Sequence, residues 1–280
     1  MANHVIFSRN ADNSVLTPAQ IQHRAPAVYS TNKHERLTDR YVSLNTSDII
    51  PVMNDYGYQV TQAAQKRSRK ASPEFSSHML AFSRTADIAE QDDMRPEIIL
   101  YNSHDGTGAV KLFAGAFRFI CSNGIVAGDG FQSRMYHNKS ALAGFEEMLR
   151  TTVATLPTLM QRIDTLRNTQ LSQGDAYEMA IQGVATRWTD YTGQPRGSYA
   201  VAQTVKDVLK VQRQGDFGYD AWTVFNRIQE GVVRGNAMIR SITEKQPEGT
   251  MRKARPVSSI KESVRINTEL WNIAEQMTTA

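Results

Sequence analysis

The sequence predicts an α+β fold: an N-terminal antiparallel β-meander followed by a mostly helical C-terminal half. Three observations predict it. From Glu97 to Gly128 the chain reads EIILYNSHDGTGAVKLFAGAFRFICSNGIVAG, apolar strand-like runs punctuated by Asp-Gly and Asn-Gly. This is too apolar for a loop and too rich in turn signals for a helix. After Ser140 the apolar residues recur at three- and four-residue spacing instead, through Leu142, Phe145, Met148, Leu149, Val153, Leu156, Leu159 and Ile163. The order is therefore sheet first, helices after.

Residues 1–40 are polar and aperiodic and read as an extended arm, ordered against its own body or a neighbouring subunit. A β-rich core domain is expected over 41–139 and a helical region packed on the sheet over 140–280. In the core, Ser47 is expected to cap a short helix, SDIIPVMNDYG, with Pro51 in its first turn and Gly57 closing it. Strands are expected at Tyr58 to Gln65, Ser77 to Arg84, Ile98 to Asn102 and Val110 to Cys121. Asp105-Gly106 and Asn123-Gly124 suit tight hairpin turns. The basic link Lys66 to Phe75, interrupted by Pro73, reads as an exposed, mobile hairpin loop.

In the C-terminal half, Pro157 is expected to bend or break the first long helix. Further helices are expected from Asp175 to Trp188, Tyr199 to Gln212, Tyr219 to Val233 and Val257 to Met277. Pro247 and Gly249 are read as part of a polar, basic linker.

A length of 280 residues allows one large core or two unequal domains. Lys plus Arg is 32 and Asp plus Glu is 28, a net charge of +4 that is too small to name a partner by itself. Its placement says more. Lys66, Arg67, Arg69 and Lys70 put four positive charges into five residues, and Arg234 to Arg255 holds six basic and two acidic residues. Cys121 is the only cysteine, so no intrachain disulfide forms, and a reducing compartment fits. Residues 1–10 lack a secretory pattern, and no 18-residue apolar window exists. A cytosolic protein with no membrane association is expected, and no cofactor.

No complete catalytic constellation stands out. His104-Asp105-Gly106, with His78 or His137 converging on it, invites a metal reading, but no spacing matches a ligand pattern, and a turn explains Asp before Gly. Cys121 paired with His104 reads better as a buried small hydrophobe. The glycines of Gly106-Thr107-Gly108 and Gly124 to Gly130 fit no phosphate-cradling motif. Arg118, between Phe117 and Phe119, alternates away from them toward an ion pair, a phosphate or a partner subunit. Lys66, Arg67, Arg69, Lys70 and Arg118, with Arg252, Lys253 and Arg255 as a second contact, form rims suited to a sugar–phosphate backbone, with aromatic rings available for stacking.

Several islands resemble one family: PVMNDYGYQVTQAAQ, SSHMLAFSR, PEIILYNSHDGTGAVKLFAGAFRFICSNGIVAG, DFGYDAWTVFNRIQEGVVRG and RPVSSIKESVRINTELWNIA. They are similar to the phage/plasmid-like family catalogued as domain of unknown function 932. Gly231 departs from the pattern, where a polar residue is expected. The resemblance implies a mobile-element protein but transfers no catalytic residue. The β-meander followed by helices is also similar, at the level of layout, to ring-forming single-strand annealing proteins related to the eukaryotic radiation-repair annealase. The expected function is therefore a non-enzymatic, phage- or plasmid-encoded protein that binds and anneals single-stranded DNA in recombination or replication. It would act as a homo-oligomer, possibly a ring, in the bacterial cytosol. Two rivals stay open: a metal-dependent nuclease or hydrolase using His104 and Asp105, and an inhibitor of a host defence protein.

Overall fold

The computed structural model describes residues 9–10, 12–31, 44–66, 72–89, 94–105, 109–118, 123–126, 132–136, 141–188, 198–199, 202–212, 214–235, 237–243 and 246–279. The chain divides into two compact units, Met1–Leu159 with Ser258–Ile260, and Met160–Val257 with Lys261–Ala280.

The first unit is built on an antiparallel meander. Strands β1 (Tyr58–Gln65), β2 (His78–Arg84), β3 (Met94–Asn102), β4 (Val110–Arg118) and β5 (Asn123–Val126) lie in chain order, and β6 (Gln132–Met135) also pairs with β4. β5 takes Gly115 to Arg118 and β6 takes Val110 to Phe113, along the edge of β4 that β3 leaves open. They divide that edge between them, with Ala114 left between the two pairings. Asn123 and Gly124 are thus paired strand residues, not the expected turn. Every residue of β2 from His78 to Ser83 is buried, as expected of a central strand covered on both faces. β3 starts at Met94, four residues before the expected Ile98, because its buried Arg95 and Glu97 are paired rather than solvated.

Helix α1 (Pro18–Arg24) lies in the region read as an extended arm. Thr17 and Gln20 form a capping box, Pro18 opens the helix, and Ile21 is buried. The arm orders against its own unit: Leu16 N–H donates to the Val60 carbonyl (2.8 Å), and Ala27 N–H donates to Gln65 Oε1 (2.7 Å). Helix α2 (Thr46–Asp55) begins at the N-cap Asn45, so Ser47 is a helix residue rather than the cap, and Pro51 falls in the second turn. Gly57, at φ +79°, ends it in the left-handed conformation that glycine supplies. A short helix, α3 (Thr85–Ala89), follows β2.

Helix α4 (Ala141–Asn168) runs through Pro157 without a break. The missing N–H costs one hydrogen bond, but Leu149 and Leu156 before it and Leu159 and Ile163 after it are all buried, so packing holds the helix on both sides.

The second unit centres on α7 (Ala221–Gln229), all nine of whose residues are buried. Trp222 stacks on Phe225 at 5.7 Å, and Phe225 meets Trp271 edge-on at 6.1 Å. Around it stand α5 (Gln173–Trp188), α6 (Ala202–Val208) and α8 (Ile260–Gln276). Ser172 and Asp175 start α5 by exchanging backbone-to-side-chain bonds of 3.1 Å. After α7 the chain makes a π-helical turn, Glu230–Arg234. Gly231 sits in it because a Cβ would stand 2.6 Å from Val208 Cγ1, which leaves no room for the polar side chain expected there.

This unit also holds a second sheet that the sequence reading places in a helix and a linker. Strands β7 (Ser198–Tyr199), β8 (Met238–Thr243) and β9 (Gln246–Lys253) pair antiparallel in that order. β9 is an edge strand, where Pro247 loses no ladder bond that the sheet needs. Tyr199 belongs to β7, so α6 is shorter than expected and begins at Ala202.

Candidate nucleic-acid interface

The β8–β9 hairpin is where the structure gathers exposed positive charge. In MIRSIT, Ile239 is buried while Arg240 is exposed, the alternation of a strand with one solvated face. Arg240 pairs with Met251, Ile239 with Arg252 and Met238 with Lys253, so Arg240, Met251 and Lys253 share one face of the hairpin and Arg252 lies on the face of Ile239. Arg252, Lys253 and Arg255 are exposed, and so is Met251 (41%). Arg234 to Arg255 carries a local charge of +4, equal to the excess of the whole chain, and the hairpin folds that charge back on itself.

The base of the hairpin is pinned. Ala254 N–H donates to Ala237 O, and Val257 N–H donates to Val233 O, both at 2.8 Å. Gly235, at φ +81°, approaches so closely that a Cβ would stand 2.6 Å from the Arg255 carbonyl oxygen. The Arg187 guanidinium donates to that carbonyl (2.6 Å) and to the Val232 carbonyl, and lies 5.0 Å over the Trp188 ring. Burial pulls the Arg187 pKa below its usual range, while the Glu262 charge acts the other way. The backbone of Gly235 is thus held against that of Ala254 and Arg255, so β8 and β9 leave a fixed base.

The remaining predicted contacts belong to the first unit. Lys66 is exposed at the end of β1, its N–H bonded to the Ser77 carbonyl at 2.8 Å. Arg67, Arg69 and Lys70 lie outside the described residues, so of the expected mobile loop only Lys66 and a 3-10 turn, Pro73–Phe75, are seen. Arg118 pairs with Met94 and Asn123 in β4, and its side chain lies outside the described residues.

Residues 33–271 match the family described as Domain of unknown function (DUF932). The chain belongs to this family. Two Escherichia coli (strain K12) proteins, UPF0380 protein YafZ and UPF0380 protein YfjQ, are each 28% identical to it over 266 residues, 94% of this chain and 92% of theirs. None of these names states an activity. No solved structure matches the chain.

In this DUF932 chain the histidines of the metal reading do meet, but as core. His78 and His104 are both buried, with ring centroids 5.2 Å apart. His78 Nδ1–H donates to the Ser76 carbonyl (3.0 Å), which leaves Nε2 to accept from Thr46 Oγ1 (2.7 Å). Asn102 Nδ2 in turn donates to Thr46 Oγ1 (2.9 Å) and to the Leu44 carbonyl (3.0 Å). Burial first, then the neighbouring His104, pulls His78 down to about 3, so it is neutral at pH 7. Asp105 accepts from Ser103 Oγ at 3.0 Å. Among the described residues no group of three or more His, Cys, Asp or Glu is placed to hold a metal; His137 and Cys121 lie outside them.

The first unit of the DUF932 chain also buries a carboxylate. Glu97 accepts from both Arg9 guanidinium nitrogens (2.8 and 2.6 Å), from Ser83 Oγ (3.0 Å) and from Arg95 Nε (3.4 Å). Burial pushes its pKa up, but the Arg9 and Arg95 charges and these hydrogen bonds outweigh burial and hold it below the usual range. Sequence reading missed this network and the Arg187 clasp alike, because each joins residues far apart in the chain.

Proposed function

We propose that this chain binds single-stranded DNA and anneals complementary strands, as a homo-oligomer and without bond chemistry. The observation that supports this is the hairpin β8–β9, which sets exposed Arg240 and Lys253 on one face and exposed Arg252 on the other. Arg240 and Lys253 hold phosphates along one face, with Arg252 and Arg255 as further contacts, and exposed base edges await a complement. Lys66, Arg67, Arg69, Lys70 and Arg118 supply phosphate contacts from the first unit. Such binding is sequence-tolerant and weakens steeply with salt, because each neutralised phosphate releases counterions.

Filter binding with single- and double-stranded oligonucleotides across a salt series tests the reading. Tighter single-strand binding is expected, with the slope of log K against log salt reduced by about 2 in the double variant Arg252→Ala/Lys253→Ala. Undetectable binding at low salt would reject it.

A further inference from the structure

The segment Asp216 to Asp220, DFGYD, sits away from the charge-bearing strands in sequence yet is held as firmly as the hairpin. Phe217 is 70% exposed and Tyr219 is 41% exposed. A single exposed aromatic residue is ordinary. A pair carried on a loop clasped from beneath is not.

The clasp is Arg227, a residue of α7 that is only 4% exposed. Its guanidinium donates to the Gly218 carbonyl, between the two aromatic residues, and to the Leu209 carbonyl at 3.1 Å. It also lies 5.4 Å from the centre of the Tyr219 ring, a cation–π distance. Leu171 N–H donates to the Tyr219 carbonyl and Ala221 N–H to the Thr169 carbonyl, both at 2.8 Å. Asp220 caps α7 through Thr223 N–H at 2.9 Å. Gly218 adopts φ +117°, which an L side chain rarely takes. The loop is fixed before any ligand arrives, so little ordering entropy is lost on stacking.

Helix α6 connects this loop to the hairpin within the same unit. Asp207 Oδ2 accepts from Met238 N–H at 3.0 Å, and Thr204 Oγ1 donates to the Met238 carbonyl, both at the first residue of β8. Leu209, two residues beyond Asp207, is the residue that Arg227 holds. The aromatic loop and the base of the cationic hairpin are therefore joined through less than two turns of helix. Lys206 is exposed on that stretch, and Lys210, just beyond it, pairs with Asp207 at 2.5 Å.

We propose that Phe217 and Tyr219 form a stacking platform for unpaired nucleobases, serving the strand whose phosphates the β8–β9 hairpin holds. The proposal rests on the single-strand reading above. Stacking accepts any base, because every base has a π-face, and it discriminates against a duplex, whose bases are already stacked.

The test compares wild type, Phe217→Ala and Phe217→Leu on a single-stranded mixed-sequence oligonucleotide and its duplex, over a salt series. Both variants are expected to bind the single strand roughly 5- to 100-fold more weakly, with an unchanged salt slope and unchanged duplex binding. An unchanged thermal midpoint is expected too, since the ring is mostly solvated. Wild-type binding with full affinity retained in Phe217→Ala overturns the platform and leaves the hairpin reading standing. A lowered salt slope in Phe217→Ala also overturns it, because the ring would then be positioning cations. No wild-type binding overturns both.

Discussion

A charge cluster in the first unit and one in the second are treated in opposite ways. In the first, Glu97 is fully buried and accepts from Arg9, Arg95 and Ser83, so its charge is spent inside the protein. In the second, Arg240, Arg252, Lys253 and Arg255 stand exposed on a hairpin whose base is fixed by Gly235 and Arg187. Buried charges hold strands and arm together at a cost in desolvation. Exposed charges contribute little to folding. The contrast separates charges that hold the fold from charges that stand clear of it, and substitutions at each make the difference measurable.

The largest effect is expected at Glu97. Removing the carboxylate leaves Arg9 and Arg95 in the interior without their counter-charge, which costs about 3–5 kcal/mol. Amide exchange of β1 to β4 in Glu97→Ala reads this directly. All three tryptophans, Trp188, Trp222 and Trp271, belong to the second unit, so their emission reports that unit instead. Sheet amides as well protected in Glu97→Ala as in wild type would show that the buried network is not what holds this sheet.

A smaller effect is expected from acid. The folded-state pKa of His78 is pulled down to about 3 from 6.5, mainly by burial. The unfolded chain therefore takes up the proton first. The stability this represents is fully present above pH 6.5 and is lost as pH falls toward 3, at about 1.4 kcal/mol per pH unit. At pH 5 the loss is about 2 kcal/mol. Replacing His78 by Gln should flatten the dependence of sheet protection between pH 6.5 and pH 5. Equal slopes in the two proteins would remove His78 from the account.

How much of this was legible in the sequence differs between the same two regions. The meander was readable chiefly from the apolar runs of β3 and β4, the latter starting at the expected Val110; β1 spans the expected Tyr58–Gln65 although its residues are mixed. β9, QPEGTMRK, was not. It is an edge strand, so it tolerates proline and charge and shows no apolar run. The arm hid for another reason: Leu16, Ile21 and Val28 are buried but too widely spaced among polar residues to set a period. The capping signal Thr17-Pro18-Ala19-Gln20 was the one local cue available there. For the candidate site, the basic residues could be counted from sequence. That β8 and β9 set Arg240 and Lys253 on one face could not, nor could the Arg187 and Arg227 clasps, which bond backbone carbonyls dictated only by the fold.

The smallest effect on folding is expected at Arg240, and it sharpens the comparison from the other side. Its neighbour Ile239 is 3% exposed and carries the packing of β8, whereas Arg240 points to solvent opposite Met251. Truncation to Ala removes no buried group and leaves no partner stranded, so the unfolding free energy from urea titration read by tryptophan emission should change by less than about 0.5 kcal/mol. The same truncation at Ile239 opens a cavity in the second unit and should cost roughly 2–5 kcal/mol. If Arg240→Ala instead destabilised the unit as much as Ile239→Ala, the hairpin cation would be structural, like Arg95 in the first unit. The division between charges that build and charges that bind would then fail at the position where it is drawn most plainly.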